Sequence, residues 1–490
     1  MSKKIYVGGS FTNEQLLWIL PIIFNFAKLE KIKEIIFHDK IDLNKIFIDK
    51  DLYLNFNIKF LNFSISKKIF FLLRYPVINF KHLAKIILNL KKKNLLNKKI
   101  SWEISQCLHG VWDQINLRSN NYKDFSFKDL IIVLCKGFYK YELGNFLYKM
   151  NVGISFLSHS VYSERFLIAN FRKKNIKIFC QAVNNIHKQN IKKDTSWSDV
   201  PKKFFFYFYK KKTLIEYYFY KRSKGKGNYE TANLSITKKN NQVLKKKFNV
   251  IFLHIFRDSP FNVIDRSRIF LDYYDWIVKT LEIIKDSSEY WIIKLHPASS
   301  RWGEDQKSIL NQIFKDVFKS NKLPNNISIV ANEFNNIYLM KNANKIITFS
   351  GTSHLESICL GKKPIIIINS PSEKFLKNSL HKCKKISDYK RILLTSKNIN
   401  LKKSAYDIYK AKVFLFIREN FNSLTHVINS NETYRKDSLK KKLNSFINVK
   451  KNLLKNKFFF FELAKMLHNN SSHTVNYKLI QDKDSLFKSK

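Results

Sequence analysis

Lys345-Ile-Ile-Thr-Phe-Ser350-Gly351-Thr352-Ser353-His354-Leu355-Glu356-Ser357-Ile-Cys-Leu-Gly361-Lys-Lys-Pro364-Ile-Ile-Ile-Ile368 is the stretch on which the reading of this chain turns. It predicts a buried strand, a glycine-containing turn, a short helix closed by Gly361, and a second buried strand after Pro364. A helix that starts directly beyond a strand presents unpaired amides and the positive end of its dipole at the strand's carboxyl edge, where anions are held. The pattern is that of a phosphate-binding corner, built here from Ser350, Gly351, Thr352 and Ser353.

Working outward, further apolar runs at Asn249 to Phe256, Tyr290 to His296, Asn326 to Val330 and Lys363 to Asn369 read as strands. Segments with helical spacing separate most of them, notably Asp272 to Lys285 and Glu304 to Lys319. Strands alternating with helices predict a parallel sheet covered on both faces, whose ligands sit beyond the carboxyl ends of the strands. The first of these runs leads into His254, Arg257, Asp258 and Ser259, and the second into Lys294, His296, Pro297 and Arg301. One crevice would collect Arg257, Lys294, His296 and the helix start.

Strand and helix signals recur in the first 200 residues. Strands are expected at Lys4 to Val7, Glu34 to His38, Leu130 to Cys135, Val152 to Ser158 and Ile176 to Cys180, and helices at Glu14 to Leu29 and Phe138 to Lys149. The predicted organisation is an α/β fold with an amino-terminal α/β domain over 1–200 and a basic aromatic segment and linker over 201–246. A second α/β domain follows over 247–370, then helices over 371–430, including one from Ala405 to Asn420, and a basic polar extension over 431–490. Phe458 to Phe461 is the one apolar island in that extension, and the last fifteen residues read as frayed.

At 490 residues the chain is long enough for two cores, and 45% hydrophobic residues can fill them. The net charge of +51 goes with abundant Lys, Asn, Ile and Phe, the signature of an AT-rich genome, so a solvated lysine surface explains most of it. No zinc spacing, Arg-Gly repeat or basic-region heptad appears, and nucleic acid is not expected as a partner. Five cysteines without a CxxC pair suit reduced, buried thiols and a cytoplasmic setting. No signal peptide or spanning helix is read.

His296 precedes Pro297, which favours an extended conformation aiming the side chain past the sheet edge toward phosphate or substrate; the plain alternative is a histidine that caps the sheet. Glu356 has two readings: the far member of a capping box begun by Ser353, or an acceptor for two ribose hydroxyls. Arg257 and Asp258 face a donor or form a surface ion pair. In the first half, Asp113, His159 and Glu164 stand nearest to expected strand or turn ends and are the candidates for a general base acting on an acceptor hydroxyl. Lys202 to Arg222 interleaves aromatic and basic residues, which suits either an interfacial helix on an anionic membrane or a helix packing its rings between the domains.

Taken together, Phe270 to Leu281, Ile293-Lys-Leu-His296-Pro297, and Ser350 to Glu356 with Gly361-Lys-Lys-Pro364 resemble the bacterial capsular and surface polysaccharide biosynthesis glycosyltransferases. Gly110-Val-Trp-Asp113 with Arg118, and Ser158-His159 with Tyr162 and Arg165, resemble motifs of their amino-terminal half. The resemblance covers about residues 100 to 370. It implies two Rossmann-like domains facing a central cleft, the GT-B type of fold, with a nucleotide-sugar donor on the carboxyl-terminal domain. His296 and the Ser350-Gly351-Thr352 corner would meet its phosphates and Glu356 its ribose. It further implies no essential metal and no cofactor beyond the donor. His354 and Leu355 depart from it, standing where smaller residues are usual. The expected activity is transfer of a sugar onto a growing surface glycan, capsule or lipopolysaccharide, with a glycan or lipid-linked glycan as acceptor and peripheral contact with the inner face of the plasma membrane. Two alternatives are a CDP-polyol phosphotransferase of teichoic-acid type and a non-catalytic binder of an anionic polymer or membrane surface.

Overall fold

The computed structural model describes residues 3–9, 11–38, 53–95, 99–118, 126–182, 185–189, 200–227, 233, 247–259, 269–320, 322–331, 334–349, 351–368, 370–395, 404–422, 424, 438–455, 457–469, 471, 474 and 475. Of the 201–246 segment and linker, the residues after Gly227 other than 233, and the last fifteen residues of the chain, lie outside this set.

Two six-stranded sheets organise the chain. The first contains β1 (Lys4–Gly8), β2 (Glu34–Phe37), β3 (Asn57–Phe60), β4 (Val152–Leu157), β5 (Lys177–Ala182) and β6 (Asn185–Lys188) in the order β3-β2-β1-β4-β5-β6. All its neighbours are parallel except β5 and β6, which pair antiparallel. The second contains β7 (Phe248–Phe252), β8 (Tyr290–Lys294), β9 (Ile327–Val330), β10 (Ile346–Thr348), β11 (Ile365–Ile366) and β12 (His381–Lys382). Its order, β9-β8-β7-β10-β11-β12, repeats that of the first sheet, and every pairing is parallel. Both sheets have the doubly wound 3-2-1-4-5-6 order, whose direction reverses between the first and fourth strands. The two reversal points are β1/β4 and β7/β10.

The central strands read as unbroken apolar runs because both faces are covered: every residue of β7 is buried. The Tyr273–Ile284 helix starts where the Asp272 side chain accepts from the Asp275 amide, and it buries Trp276, Ile277 and Leu281 against the second sheet. In the first half, the Asn13–Leu29 helix opens on a capping box between Thr12 and Gln15.

Several expectations are corrected. Leu130 to Cys135 is no strand but part of the Phe127–Lys149 helix, because its apolar residues continue the helical period of the segment after it. Asp113 follows no strand either; it lies inside the Trp102–Arg118 helix. The second sheet runs past residue 370 to β12, and Cys383, Tyr389 and Leu393 belong to its core. The 431–490 extension contains two helices, Leu439–Lys455 and Lys457–His468, and both return to pack on Asn13–Leu29. Phe459 and Phe460 are thereby buried in the amino-terminal core.

The basic aromatic segment forms two helices, Lys202–Tyr209 and Lys212–Ser223. Phe204, Phe205, Phe208, Ile215 and Tyr218 are buried in one cluster with the Ala405–Phe416 helix and the π-helical turn Ile417–Phe421. The rings face 4.7 Å from Phe204 to Phe421 and 4.0 Å from Phe205 to Phe375. Of the two readings of this segment, packing between the halves is the one these buried side chains follow, while Phe206, Tyr217 and Tyr220 are exposed.

Candidate active site

Three adjacent strands of the second sheet, β8, β7 and β10, end in the residues that define the site. His254 leaves β7, His296 leaves β8, and Gly351 begins the turn after β10. The His254 ring stacks on Tyr273 at 4.4 Å and 8°, and its centre is 5.7 Å from that of His296. Gly351 has φ +105°, which disfavours other residues there, and a Cβ added to it would stand 3.9 Å from His254 Cδ2. The reversal point of the sheet is therefore occupied by two imidazoles and a glycine turn.

Both imidazoles are neutral at pH 7. Burial pushes His254 down to about 4, with the Arg418 charge adding to the effect against a hydrogen bond to Ile255. Burial, then the repulsion a charged ring would meet from a protonated His254 and from Lys294, hold His296 well below the usual range. The Ala298 amide donates to His296 Nδ1 at 3.1 Å. That assigns the ring proton to Nε2, a donor suited to a phosphate oxygen.

A clamp fixes the two histidine loops. The Gln306 side chain donates to the His254 carbonyl at 2.9 Å and accepts from the His296 amide at 2.8 Å. Glu304 accepts from the Phe256 amide at 3.1 Å, the Arg257 amide at 2.9 Å and Gln306 Nε2 at 2.8 Å. Burial still raises the Glu304 carboxyl, because those donors offset only part of the lost hydration. Sequence reasoning missed both residues: each stands at the beginning of a helical pattern, where Glu and Gln are ordinary.

The other donor-side candidates separate. Lys294 is buried at 1% exposure and donates to the Leu295 carbonyl at 2.9 Å, so it sits within the sheet edge, out of solvent. Arg257 turns its guanidinium to the Gly303 carbonyl at 3.2 Å. Ser350 and the Arg118 side chain lie outside the described residues. Thr352 precedes the seven-residue Ser353–Cys359 helix without a side-chain cap, and Ser353 Oγ donates to Thr348 Oγ1 at 3.1 Å. The capping box is thus not formed.

Glu356 is instead taken by Arg222, whose Nη2 donates to Oε1 at 2.7 Å. The same guanidinium reaches Glu419 Oε2 at 3.0 Å, and Tyr218 donates to that carboxylate as well. This buried network joins the linker, the π-helical turn and the site helix. His354, also buried, pairs with Ser370 and Ser372, each at 3.1 Å, and burial pushes it down to about 3.

In the first half, Asp113 Oδ2 accepts from Ser259 Oγ at 2.6 Å and from Arg165 Nε at 3.3 Å. It is a fastener between the halves, as is Trp112, whose indole donates to Asp272 at 2.9 Å. Glu164 pairs with Lys140 at 2.6 Å. Burial raises its carboxyl, but Lys140 and His159 outweigh that and leave it below the ordinary value. His159 lies at the other reversal point, with Nδ1 2.6 Å from Ser158 Oγ, and burial lowers it. A Cβ on Gly9, after β1, would collide with Ser158 Oγ, so the β1 and β4 ends touch.

The carboxyl edges of the two sheets meet here. Tyr162 OH donates to the Arg257 carbonyl at 3.5 Å. Asp258 lies in the same seam, 3.9 Å from His254 Nδ1, and burial raises its carboxyl to about 6 against a hydrogen bond from the Ser259 amide. Tyr162 is raised by burial and then by Asp258 and Asp113. Among the described residues no group of three His, Cys, Asp or Glu could hold a metal ion, and no helix is long and apolar enough to cross a membrane. All five cysteines are free thiols.

No family model and no curated protein matches the chain. Among solved structures it is similar to the UDP-GlcNAc 2-epimerase of Methanocaldococcus jannaschii in complex with UDP-GlcNAc and UDP, at 14% identity and a TM-score of 0.27, covering 85% of this chain and 99% of that one. It is similar to KpsC of Thermosulfurimonas dismutans, a beta Kdo 2,4 transferase, at 10% identity and a TM-score of 0.32 over 54% of this chain and 79% of that one. The glycosyltransferase SnogD from Streptomyces nogalater is similar at 8% identity and a TM-score of 0.23 over 84% of this chain and 95% of that one. The fold assignment rests on strand order: two sheets of the same doubly wound order, meeting at their carboxyl edges, give this chain the GT-B type of α/β fold.

Proposed function

We propose that the chain is a glycosyltransferase that moves a sugar from a nucleotide-activated donor onto a growing surface polysaccharide, capsule or lipopolysaccharide. The observation that carries this reading is the pair of adjacent imidazoles, His254 and His296, beside the Gly351 turn at the reversal point of the second sheet. A neutral Nε2–H and the amides of Gly351, Thr352 and Ser353 would hold the donor's phosphates, so that negative charge developing on the leaving nucleotide meets fixed donors. No metal is called for in this scheme.

Asp258 is the best-placed base. Its carboxyl, raised to about 6, lies where the two halves meet, close to the pH at which a base is both ionised and effective. As the bond between the sugar's anomeric carbon and the phosphate oxygen breaks, the acceptor hydroxyl oxygen bonds to that carbon and its proton passes to Asp258. His159, at the edge of the first sheet, would orient the acceptor. Asp113 and Glu164 are committed to Ser259, Arg165 and Lys140 and serve positions instead of proton transfer. Glu356 would reach a ribose only by sharing its carboxylate with Arg222.

A thermal-shift panel of CMP, CDP, UDP, GDP and ADP tests the reading, since a ligand of the folded state alone raises its stability. Stabilisation by one of them, lost in His296→Ala, supports it. A response to CDP alone turns it toward polyol-phosphate transfer, and no response to any favours a non-catalytic binder. Within this reading the protein works on the cytoplasmic side against a lipid-linked acceptor, in peripheral contact with the membrane.

A further inference from the structure

The helix Ile65–Ile78 is apolar on two faces and uses only one of them. Phe71 and Tyr75 are buried, and Tyr75 stacks on Phe138 at 4.6 Å. Ile65, Ile69, Leu73 and Val77, spaced four apart, form a separate stripe exposed at 77%, 48%, 62% and 78%. Phe70 widens the stripe, and Phe80 extends it into the next helix, Phe80–Lys91, at 69% exposure. That second helix buries Ile86 and Leu90 in the same core as Trp112 and so is fixed to the body of the amino-terminal half. A contiguous apolar ridge of this kind marks an interaction site, since isolated surface hydrophobes need no explanation but a patch does.

Charge says what covers it. Residues 52–102 contain eleven Lys and Arg and no Asp or Glu, in a chain that overall has 89 of the former and 38 of the latter. Lys68, Lys81, Lys85 and Lys91 to Lys93 are all exposed on or directly after these two helices. Beside the end of the first helix, a cavity of about 390 Å³ is lined by Arg74, Ile78, Lys149, Lys173 and Lys174 among others. Arg74 and Lys173 are partly balanced there, by Glu142 at 3.5 Å and Glu103 at 3.7 Å. Aromatic and branched apolar side chains flanked by lysines, without a carboxylate over fifty residues, match the acyl–headgroup boundary of an anionic bilayer.

We propose that Ile65–Ile78 and Phe80–Lys91 form the surface that seats this protein on an anionic membrane, with the apolar ridge entering the headgroup boundary and the neighbouring cationic cavity taking a lipid phosphate. This locates the membrane contact of the function proposed above, yet it rests on a different part of the molecule and stands whether or not the chain transfers a sugar. It is separate from Lys202 to Arg222, where Phe204, Phe205, Phe208 and Tyr218 are buried in the core and Phe206, Tyr217 and Tyr220 are exposed.

Co-sedimentation with vesicles of phosphatidylcholine alone and of phosphatidylcholine with phosphatidylglycerol tests it, in low and high salt. The full chain is expected to bind the anionic vesicles and to be released by salt. Leu73→Glu with Val77→Glu, both on the exposed stripe, should weaken that binding by at least about tenfold with no change in melting temperature. Lys81→Gln with Lys85→Gln and Lys91→Gln should reduce the preference for anionic over neutral vesicles. Lys174→Gln should do the same if the cavity takes a phosphate. The nucleotide thermal shift is measured on every variant, so loss of vesicle binding with nucleotide binding intact separates this surface from the active site. Three results would overturn the proposal: wild type remaining in the supernatant with anionic vesicles at low salt, the Leu73 and Val77 variant sedimenting like wild type, or light scattering showing a dimer that this variant dissociates, which would assign the ridge to a second copy.

Discussion

Asp258→Asn is expected to stabilise the protein at neutral pH while it removes activity. In the fold the carboxyl stands at about 6 against an ordinary 3.8, because burial opposes its ionisation. A carboxyl raised in this way contributes stability that is fully present below 3.8 and is lost as pH rises through about 6. At about 1.4 kcal/mol per pH unit, the gap sets an upper limit of about 3 kcal/mol on what the wild-type charge costs. The side chain keeps 24% exposure, so solvent screens part of this. We expect about 1 to 2 kcal/mol. Asparagine has nothing to ionise and fits the same space. Urea denaturation of both proteins across pH should therefore show little difference near pH 4, a gain for Asp258→Asn that grows up to about pH 6, and a plateau above it. In parallel, turnover of the nucleotide sugar identified by the ligand panel should fall about a hundredfold or more. A gain that ignores pH, or a variant less stable than wild type at pH 8, would refute the burial argument. A full stability gain with unchanged turnover would leave the burial argument intact and remove Asp258 as the base.

Other outcomes follow from the same geometry. His296→Ala should weaken nucleotide binding by at least about 1.5 kcal/mol in isothermal titration while the protein remains folded, since one donor to phosphate is lost. Gln306→Leu removes the side chain that ties the His254 carbonyl to the His296 amide, and should cost about 2 to 4 kcal/mol in denaturation together with most of the nucleotide affinity. Arg222→Met leaves the buried carboxylates of Glu356 and Glu419 without their cation and should cost about 3 to 5 kcal/mol, largely recovered when both become Gln. A loss below about 1 kcal/mol in the single variant would mean that water reaches that network. Burial holds His254 down at about 4, so its contribution is present above its ordinary 6.5 and is lost as pH falls toward 4. His254→Gln should therefore reduce the loss of stability between pH 6.5 and pH 4.5, read by thermal melts.

Local pattern by itself determined much of this protein. The apolar runs at Phe248 to Phe252, Tyr290 to Lys294 and Ile346 to Thr348 were legible as strands, because a strand buried on both faces tolerates almost no polar residue. Gly351 was legible as a turn, and the alternation of strands and helices alone placed His254, His296 and Gly351 at one sheet edge. Leu130 to Cys135 misled because a short apolar run fits both periods, and only its continuation into Phe127–Lys149 decides for helix. What pattern could not decide was pairing between residues far apart in the chain. Glu356 meets Arg222, 134 positions away, and not the start of its own helix; Asp113 meets Ser259 across the two halves; Lys294 turns inward to Leu295. Carboxylates and ammonium groups are read from sequence as solvent- or ligand-facing, since burying a charge alone is expensive. Only tertiary structure supplies the partner that makes such burial tolerable, and only it leaves an apolar stripe such as Ile65, Ile69, Leu73 and Val77 without one.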